Sequence, residues 1–586
     1  MTTAVTAPDR ASLSSMDERL SAMMVRTKAI LADAPLTEDT LVEITSIYNN
    51  VAYVFLYLEA NERYVNFDRL LPWRAAFHQD PELDRALLAR LVALRCTDPE
   101  AERSRLDWVN QLRAKEHEPD TESADRMAGL VGAAKDTLAA LADDQAALLA
   151  KLGVEVGAVN PPAVFYKMSA RIANPVSRTK LARAWRALRD RKEDELVDLV
   201  DHMVGELRRQ STARGHHTVL DETLTKCRVT EAQVDAFLQR YLDHALSSYR
   251  DLEDEVRTTT GAVDNPMDHF GRHLETLVGA VEVPKLPLRG CLDFVYAVAA
   301  GAFGLTVEMV SRTEDVVMTV RVRAGDQEVG QIDFDLWNDE GKALKANHTK
   351  GIRNRTDWAG LVQLPVAYVS CRFSRTEGEE RITFQNAHSL FHEFGHAINH
   401  LLIRKRISNQ SGLEYLPLER LEYLSMWFEK WVFHPAFADH LGMSESDHAG
   451  LSWCQRIKMI EYRRTYVDRA VTAALDFDVY RHTDGGVRES FQRLDQRFGI
   501  SAHCTLDDFL PYFTWPMLQA NPGAYFAYLW GAADSGEQFR PFQDATLAAV
   551  AAMGDQRGRF ASCLDFDLPS NEPDVRAVFE FYDRAR

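Results

Sequence analysis

One stretch of the 586-residue chain limits its fold more than any other, the run from Ile382 to Leu402. Phe384, Ala387, Phe391, Phe394, Ile398 and Leu401 recur at steps of three and four, the stripe of a core-facing helix. His392 and His396, just over one turn apart, leave the same side of that helix, clear of the stripe. Two neutral imidazoles so spaced can share one tetrahedral zinc ion at about 2.0–2.1 Å each. Glu393 points roughly a third of a turn away, where it can hold a water on the metal rather than the metal itself. This His-Glu-x-x-His arrangement is incomplete alone, because a catalytic zinc takes three protein ligands and keeps one position open.

Downstream, Pro417 suits the first turn of a second helix, and Leu421, Leu424, Phe428 and Trp431 again step by three and four. Glu422 sits off that stripe, with Glu429 a heptad later on nearly the same face. Glu422 completes a His₂Glu set and is taken as the third ligand, Glu419 and Glu429 being the other acids on the stretch. Glu429 either accepts a hydrogen bond from a ligand histidine and orients it, or is simply solvated. His388 and His400 continue the four-residue spacing, but four imidazoles spread along a helix cannot all reach one ion. Both read as helix-surface or cleft-wall residues.

At these residues the chain resembles the M3 metallopeptidases. The family's Phe-His-Glu-Phe-Gly-His stands unchanged as Phe391 to His396, and its Glu-x-x-Ser-x-x-x-Glu-x-Trp is matched by Glu422, Ser425, Glu429 and Trp431. Asn174 to Gly215 and Pro284 to Leu305 are similar to the corresponding family segments. Tyr-x-x-Tyr-Leu-Trp from Tyr525 to Trp530 is similar to the family's Tyr-Tyr-x-Tyr-Leu-Trp. That resemblance implies that Tyr525 faces substrate and that Tyr528 donates to the tetrahedral oxyanion. The chain also departs from the pattern. The family carries a histidine and a Gly-rich flexible loop just upstream, whereas this sequence has Thr514-Trp515-Pro516, a single Gly523, and no histidine between Phe509 and Trp530.

Composition narrows the setting. Sixty-eight basic against 87 acidic side chains leave a net charge of −19, which argues against a nucleic-acid partner. The seven cysteines are scattered, odd in number and never paired as Cys-x-x-Cys, the usage of reduced thiols in a cytoplasmic protein. The start, Met1 to Asp9, lacks a basic region followed by an apolar core, and no run of about twenty apolar residues suggests a membrane span.

From Met16 to about Thr259 the pattern is helical with short breaks. Arg178 to Arg191, interleaved with Leu181, Ala184, Trp185 and Leu188, reads as an amphipathic helix with a solvated basic face. Val316 to Val322 and Val329 to Trp337 alternate with period two around a turn at Ala324-Gly325-Asp326. Leu361 to Ser370 reads as a third strand whose Pro365 favours an edge, where an extended peptide can add as a strand. Asn338 to Arg355 reads as a loop and His348 in it as a solvated histidine.

The resemblance implies a mainly α, bilobed, neurolysin-like fold with a deep central channel and one small β-sheet near the zinc helix. The expected organisation is a disordered N-terminus over 1–14, a mostly helical lobe and channel wall over 15–280, and a catalytic zinc region over 281–586, with lobes that interleave in sequence. The expected function is that of a zinc metallopeptidase with one Zn²⁺ per chain, a monomer or weak homo-oligomer acting on short unstructured peptides. Rival expectations are a hydrolase dedicated to one peptide or amide of a biosynthetic pathway, and a zinc-binding relative without activity.

Overall fold

The helix expected around the histidine pair spans Phe384–Leu402, and the Thr383 hydroxyl caps it by accepting the Asn386 N–H. All six residues of its apolar stripe are buried. The computed structural model describes residues 13–585 except 33–34, 61–66, 116–120, 154–160, 263–264, 279–282, 314–316, 339–346, 376–379, 566 and 569. Of the stretch 1–14 expected to lack structure, residues 1–12 lie outside the described residues, and a helix Leu13–Ala32 begins directly after them.

The motif helix packs on a five-stranded sheet of β1 (Leu305–Thr313), β2 (Val317–Ala324), β3 (Gln327–Trp337), β4 (His348–Arg353) and β5 (Val366–Phe373), in the order β1-β2-β3-β5-β4. β1, β2 and β3 form an antiparallel meander, and Gly325, with φ of 58°, makes the expected turn between β2 and β3. β5 runs parallel to β3 and antiparallel to β4. Phe334 of β3 stacks on Phe394 of the helix at 6.4 Å. Gly330 admits the helix further along: a Cβ there would stand 2.6 Å from Leu401 Cδ2 and 2.7 Å from the Pro365 carbonyl.

The third expected strand is divided, and it is not an edge. Leu361–Gln363 closes a two-stranded hairpin with Thr356–Trp358. After Pro365, whose carbonyl accepts the Gln331 N–H, β5 enters the interior of the sheet. Val366 to Cys371 is buried throughout, and a strand covered on both faces reads as a continuous apolar run. The edges are β1 and β4, the latter inside the stretch expected to be a loop. His348-Thr349-Lys350-Gly351 has little strand propensity, and pairing with β5 through His348 opposite Ser370 overrides it.

The chain divides into two compact units, each built from three segments. One takes Met1–Glu118, Pro284–Met443 and Gln538–Pro569; the other takes Pro119–Val283, Ser444–Glu537 and Ser570–Arg586. The described residues between Leu13 and Lys115 therefore belong to the unit of the sheet rather than to the lobe expected over 15–280. The reason is the helix Glu38–Ala60, whose Tyr53, Val54 and Tyr57 share a core with Ile352, Val366 and Tyr368. Asn50 and Ser46 of the same helix donate to Gln363 Oε1. Its stretch Glu38–Glu59 is long and apolar enough to cross a membrane, yet 78% of its apolar 18-residue window is buried inside the protein, as in the helix of a core.

Long helices Pro175–Ala213, Glu231–Thr260 and Glu445–Arg481 organise the other unit. Arg463 is fully buried and forks onto Glu255 at 2.9 and 3.0 Å. The arginines of 178–191 are only partly a solvated face. Arg178 is 1% exposed and donates to His269, Arg186 pairs with Asp268, and Arg189 with Asp507 and Asp508. Trp185 anchors the apolar side, stacked on Phe165 at 4.3 Å.

Candidate metal centre

The two ligand-bearing segments meet because of one glycine. Gly395 lies between His392 and His396, and a Cβ at that position would stand 2.6 Å from Ser425 Cα and 2.7 Å from the Leu424 carbonyl. The second segment can therefore touch the backbone of the motif helix at the level of the histidines. That segment is not one helix from Pro417. A 3₁₀ turn Leu418–Arg420 comes first, and Glu422 is the residue flanking the N-terminus of a short α-helix, Tyr423–Glu429. The break turns Glu422 toward the histidine pair while its carbonyl still accepts the Met426 N–H.

His392, His396 and Glu422 place their donor atoms within 4.8 Å of one another, a group that can hold a metal ion. Glu422 Oε2 lies 3.3 Å from Nε2 of His392 and 3.3 Å from Nε2 of His396. An edge of roughly 3.3 Å is what a tetrahedral ion with bonds of about 2.0–2.1 Å requires between its ligands. Two imidazole nitrogens and a carboxylate oxygen converging on one point attract a cation, so the donor set and its spacing fit a metal. Burial pushes the His392 imidazole down, but hydrogen bonds to Glu422 and Glu429 outweigh it and raise it well above 6.5. Burial likewise acts to raise Glu422, and the charge and hydrogen bonds of the two histidines hold it well below the usual carboxylate range.

A surrounding set of side chains fixes these groups. His392 Nδ1 donates to Glu429 Oε2 at 2.9 Å, which leaves Nε2 for the centre. Glu429 is 6% exposed, and the His388 charge and the His392 hydrogen bond overcome its burial and pull its carboxyl to about 2. The Ser425 hydroxyl lies 2.9 Å from Glu422 Oε2 and 3.0 Å from the Glu422 carbonyl. Glu393 is 6% exposed, and the Thr349 hydroxyl on β4 lies 2.9 Å from its Oε2 and 2.9 Å from its backbone carbonyl. Edge strand and motif helix thus meet at that carboxylate.

His388 and His400 are not surface residues, at 6% and 1% exposure. The helix is enclosed by the sheet on one side and by the Glu422 segment on another. His400 Nε2 donates to the Arg353 carbonyl at 2.8 Å, and burial pushes its imidazole down to about 4. His388 Nε2 approaches Glu429 Oε2 at 3.9 Å. Glu419, fully buried beside Arg420, stays outside the group of three.

The structure thus brings His392, His396, Glu422, Glu393 and Glu429 together in the first unit; Tyr525 and Tyr528 belong to the other. Tyr525 is buried just before the helix Phe526–Phe539, Tyr528 is half-buried in its first turn, and their rings lie 5.2 Å apart. Thr349 and the role of Ser425 escaped the sequence reading. Ser425 had a signal, a hydroxyl three residues after a candidate ligand, whereas Thr349 sits in a polar segment without a pattern. Gly395 had a signal too: a glycine inside a helix costs about 1 kcal/mol relative to alanine, which a close backbone contact explains.

The family model described as Peptidase family M3 matches residues 171–547, a span that contains both ligand segments and both tyrosines. Organellar oligopeptidase A of Arabidopsis thaliana is 23% identical over 375 residues, covering 58% of this chain and 47% of that protein. Oligopeptidase A of Salmonella typhimurium is 22% identical over 293 residues, covering 47% of this chain and 42% of that protein. The chain thus aligns with less than half the length of these relatives. Its fold is similar to that of PZ peptidase A solved with an inhibitor, with a TM-score of 0.55, 11% identity and coverage of 97% of each chain. A match to the family model over well more than half of the sequence, on top of this donor set, settles the membership: the chain belongs to peptidase family M3.

Proposed function

We propose that this protein is a zinc-dependent oligopeptidase that hydrolyses short unstructured peptides in the cytoplasm. The observation that carries the reading is the convergence of two imidazoles and a carboxylate beside a second, buried carboxylate on the same helix. His392, His396 and Glu422 would hold the zinc, which when bound supplies Lewis acidity, polarising the scissile carbonyl and lowering the pKa of a water toward about 7. Glu393 takes the proton of the attacking water and passes it to the leaving amine. Thr349 keeps that carboxylate aimed, Glu429 fixes the ring of His392, and Ser425 fixes Glu422. The resemblance of Tyr525 to Trp530 to the family motif supports Tyr528 as the donor to the developing oxyanion. The peptide lies along β4, whose outer side has no partner strand among the described residues. The seven free cysteines, six of them buried, support a reducing compartment.

A second reading, a hydrolase dedicated to one peptide or amide, is favoured by the loop before Tyr525. The Asp476 carboxylate accepts from the N–H groups of Gly523 and Tyr525 at 3.0 Å each, and Thr223 donates to the Pro522 carbonyl at 2.6 Å. A loop held in this way adapts less to varied substrates. Mass spectrometry of a mixed peptide library separates the two. Cuts in many short peptides and few long ones are expected; a library left intact, with one other compound hydrolysed, refutes the oligopeptidase reading.

A further inference from the structure

The unit of the long helices holds a partly open cavity of about 700 Å³ that the proposed peptidase chemistry leaves unused, and all of its wall residues belong to that unit. Helices Thr121–Lys151, Pro175–Ala213, Glu231–Thr260 and Glu445–Arg481 contribute to the wall, together with the stretch 501–512. That volume suits a small organic molecule. Much of the wall is apolar: Leu138 and Leu141 of the first of these helices, Trp185 stacked on Phe165, and Tyr249.

The polar part of the wall is unbalanced. It carries four carboxylates, Asp268, Asp468, Asp507 and Asp508, and three guanidiniums, Arg186, Arg189 and Arg464. The guanidiniums are engaged: Arg186 forks onto Asp268 at 2.5 and 3.1 Å, Arg189 is shared by Asp507 and Asp508, and Arg464 lies 5.3 Å from the Phe270 ring centre. Two of the carboxylates are less well served. Asp507 is 7% exposed; Arg189 meets its Oδ2, and its Oδ1 has no hydrogen-bond partner among the described residues. Asp468 is half-buried, and no hydrogen bond or ion pair among the described residues reaches its carboxylate. Burial pushes that carboxyl up to about 6, with Asp508 adding to the shift and Arg464, Arg469 and Arg189 opposing it. These acids are neighbours, since burial and the charges of Asp508, Asp468, Asp495 and Asp507 together push the thiol of Cys504, also in the wall, upward. A positively charged donor placed there would supply what the two carboxylates lack.

We propose that the cavity binds a small organic cation, a primary ammonium carried on an aromatic or aliphatic body, with the ammonium at Asp468 and Asp507 and the body against Trp185 and Leu141. An anion is disfavoured, because Arg186 and Arg189 are already neutralised by the carboxylates beside them. The proposal does not draw on the metal centre, so its test requires neither zinc nor turnover.

Isothermal titration calorimetry of the full chain with benzylamine, benzyl alcohol and benzoate compares a cation, a neutral group and an anion on one body. Benzylamine is expected to bind about tenfold more tightly than benzyl alcohol, and benzoate most weakly. Asp468→Asn keeps the shape and removes the charge. The tenfold advantage should then fall to near one, with a urea midpoint equal to or above that of the wild type, because an unsatisfied carboxylate is gone. Leu141→Phe fills part of the cavity and should weaken benzylamine and benzyl alcohol alike by about tenfold, which places the binding here. Absence of benzylamine binding, an unchanged advantage in Asp468→Asn, or affinities unaltered by Leu141→Phe would overturn the proposal. Tighter binding of benzoate would overturn it as well, by assigning the cavity to an anion.

Discussion

Replacing Gly395 with alanine separates two physical accounts of the metal centre, because they predict opposite signs. Judged by helix propensity alone, alanine in the middle of Phe384–Leu402 stabilises by about 1 kcal/mol. Judged by contact, the new methyl would sit 2.6 Å from Ser425 Cα and 2.7 Å from the Leu424 carbonyl, and both are backbone atoms that no rotamer change can move aside. Restoring an ordinary contact near 3.4 Å requires the Glu422 segment to retreat by roughly 0.8 Å. Metal–ligand distances tolerate only about 0.2 Å, so Glu422 leaves bonding range of an ion held by the two histidines. The expected loss of metal affinity is about tenfold to a hundredfold, with about 1–3 kcal/mol of destabilisation from overpacking. Competition against a chromophoric chelator measures the first and urea unfolding the second. Wild-type metal affinity in Gly395→Ala, or a gain in stability, would refute the argument that this glycine sets the approach of Glu422.

Three further outcomes follow from the same geometry. Thr349→Val removes the hydroxyl that aims Glu393 but keeps the shape of β4; kcat is expected to fall about tenfold with metal content unchanged, and an unaltered kcat–pH profile would contradict the positioning role. Ser425→Ala frees Glu422 Oε2 and should weaken metal binding about tenfold in chelator competition, an effect that equal affinity would exclude. His400 is neutral in the folded chain down to about pH 4, whereas an unfolded histidine protonates near 6.5, so between these values only the unfolded chain takes the proton. Stability is therefore lost as pH falls through that window, by up to about 3 kcal/mol, and His400→Gln should show a correspondingly smaller difference between urea midpoints at pH 7 and 4.5. The same drop in both proteins would remove His400 from the account.

What was legible in the sequence was the part written in local spacing. The stripe of Phe384 to Leu401, the histidine pair and the hairpin at Gly325 each depend on residues within a few positions, and the structure has them as expected. Glu422 was legible as a residue type at a plausible distance, but its place at the start of a broken helix was not. That break depends on contact with Gly395, which is 27 residues away in the chain and invisible to periodicity. Pro365 misled for a physical reason: a proline marks an edge only when it lies within the ladder, and this one precedes it. The edge beside β5, β4, was hidden because His348 to Gly351 is polar and glycine-containing, and its pairing is decided by β5. The helix Glu38–Ala60 looked like any apolar helix, and only the tertiary fit to Tyr368 assigns it to the sheet.

The most direct test of the central claim is zinc content and peptide turnover measured on the same preparations of wild type and Glu393→Gln. The account predicts one zinc per chain in both proteins, turnover in the wild type alone, and loss of that turnover when the zinc is removed by chelation. Peptide cleavage by Glu393→Gln, or by wild-type protein free of metal, would contradict it.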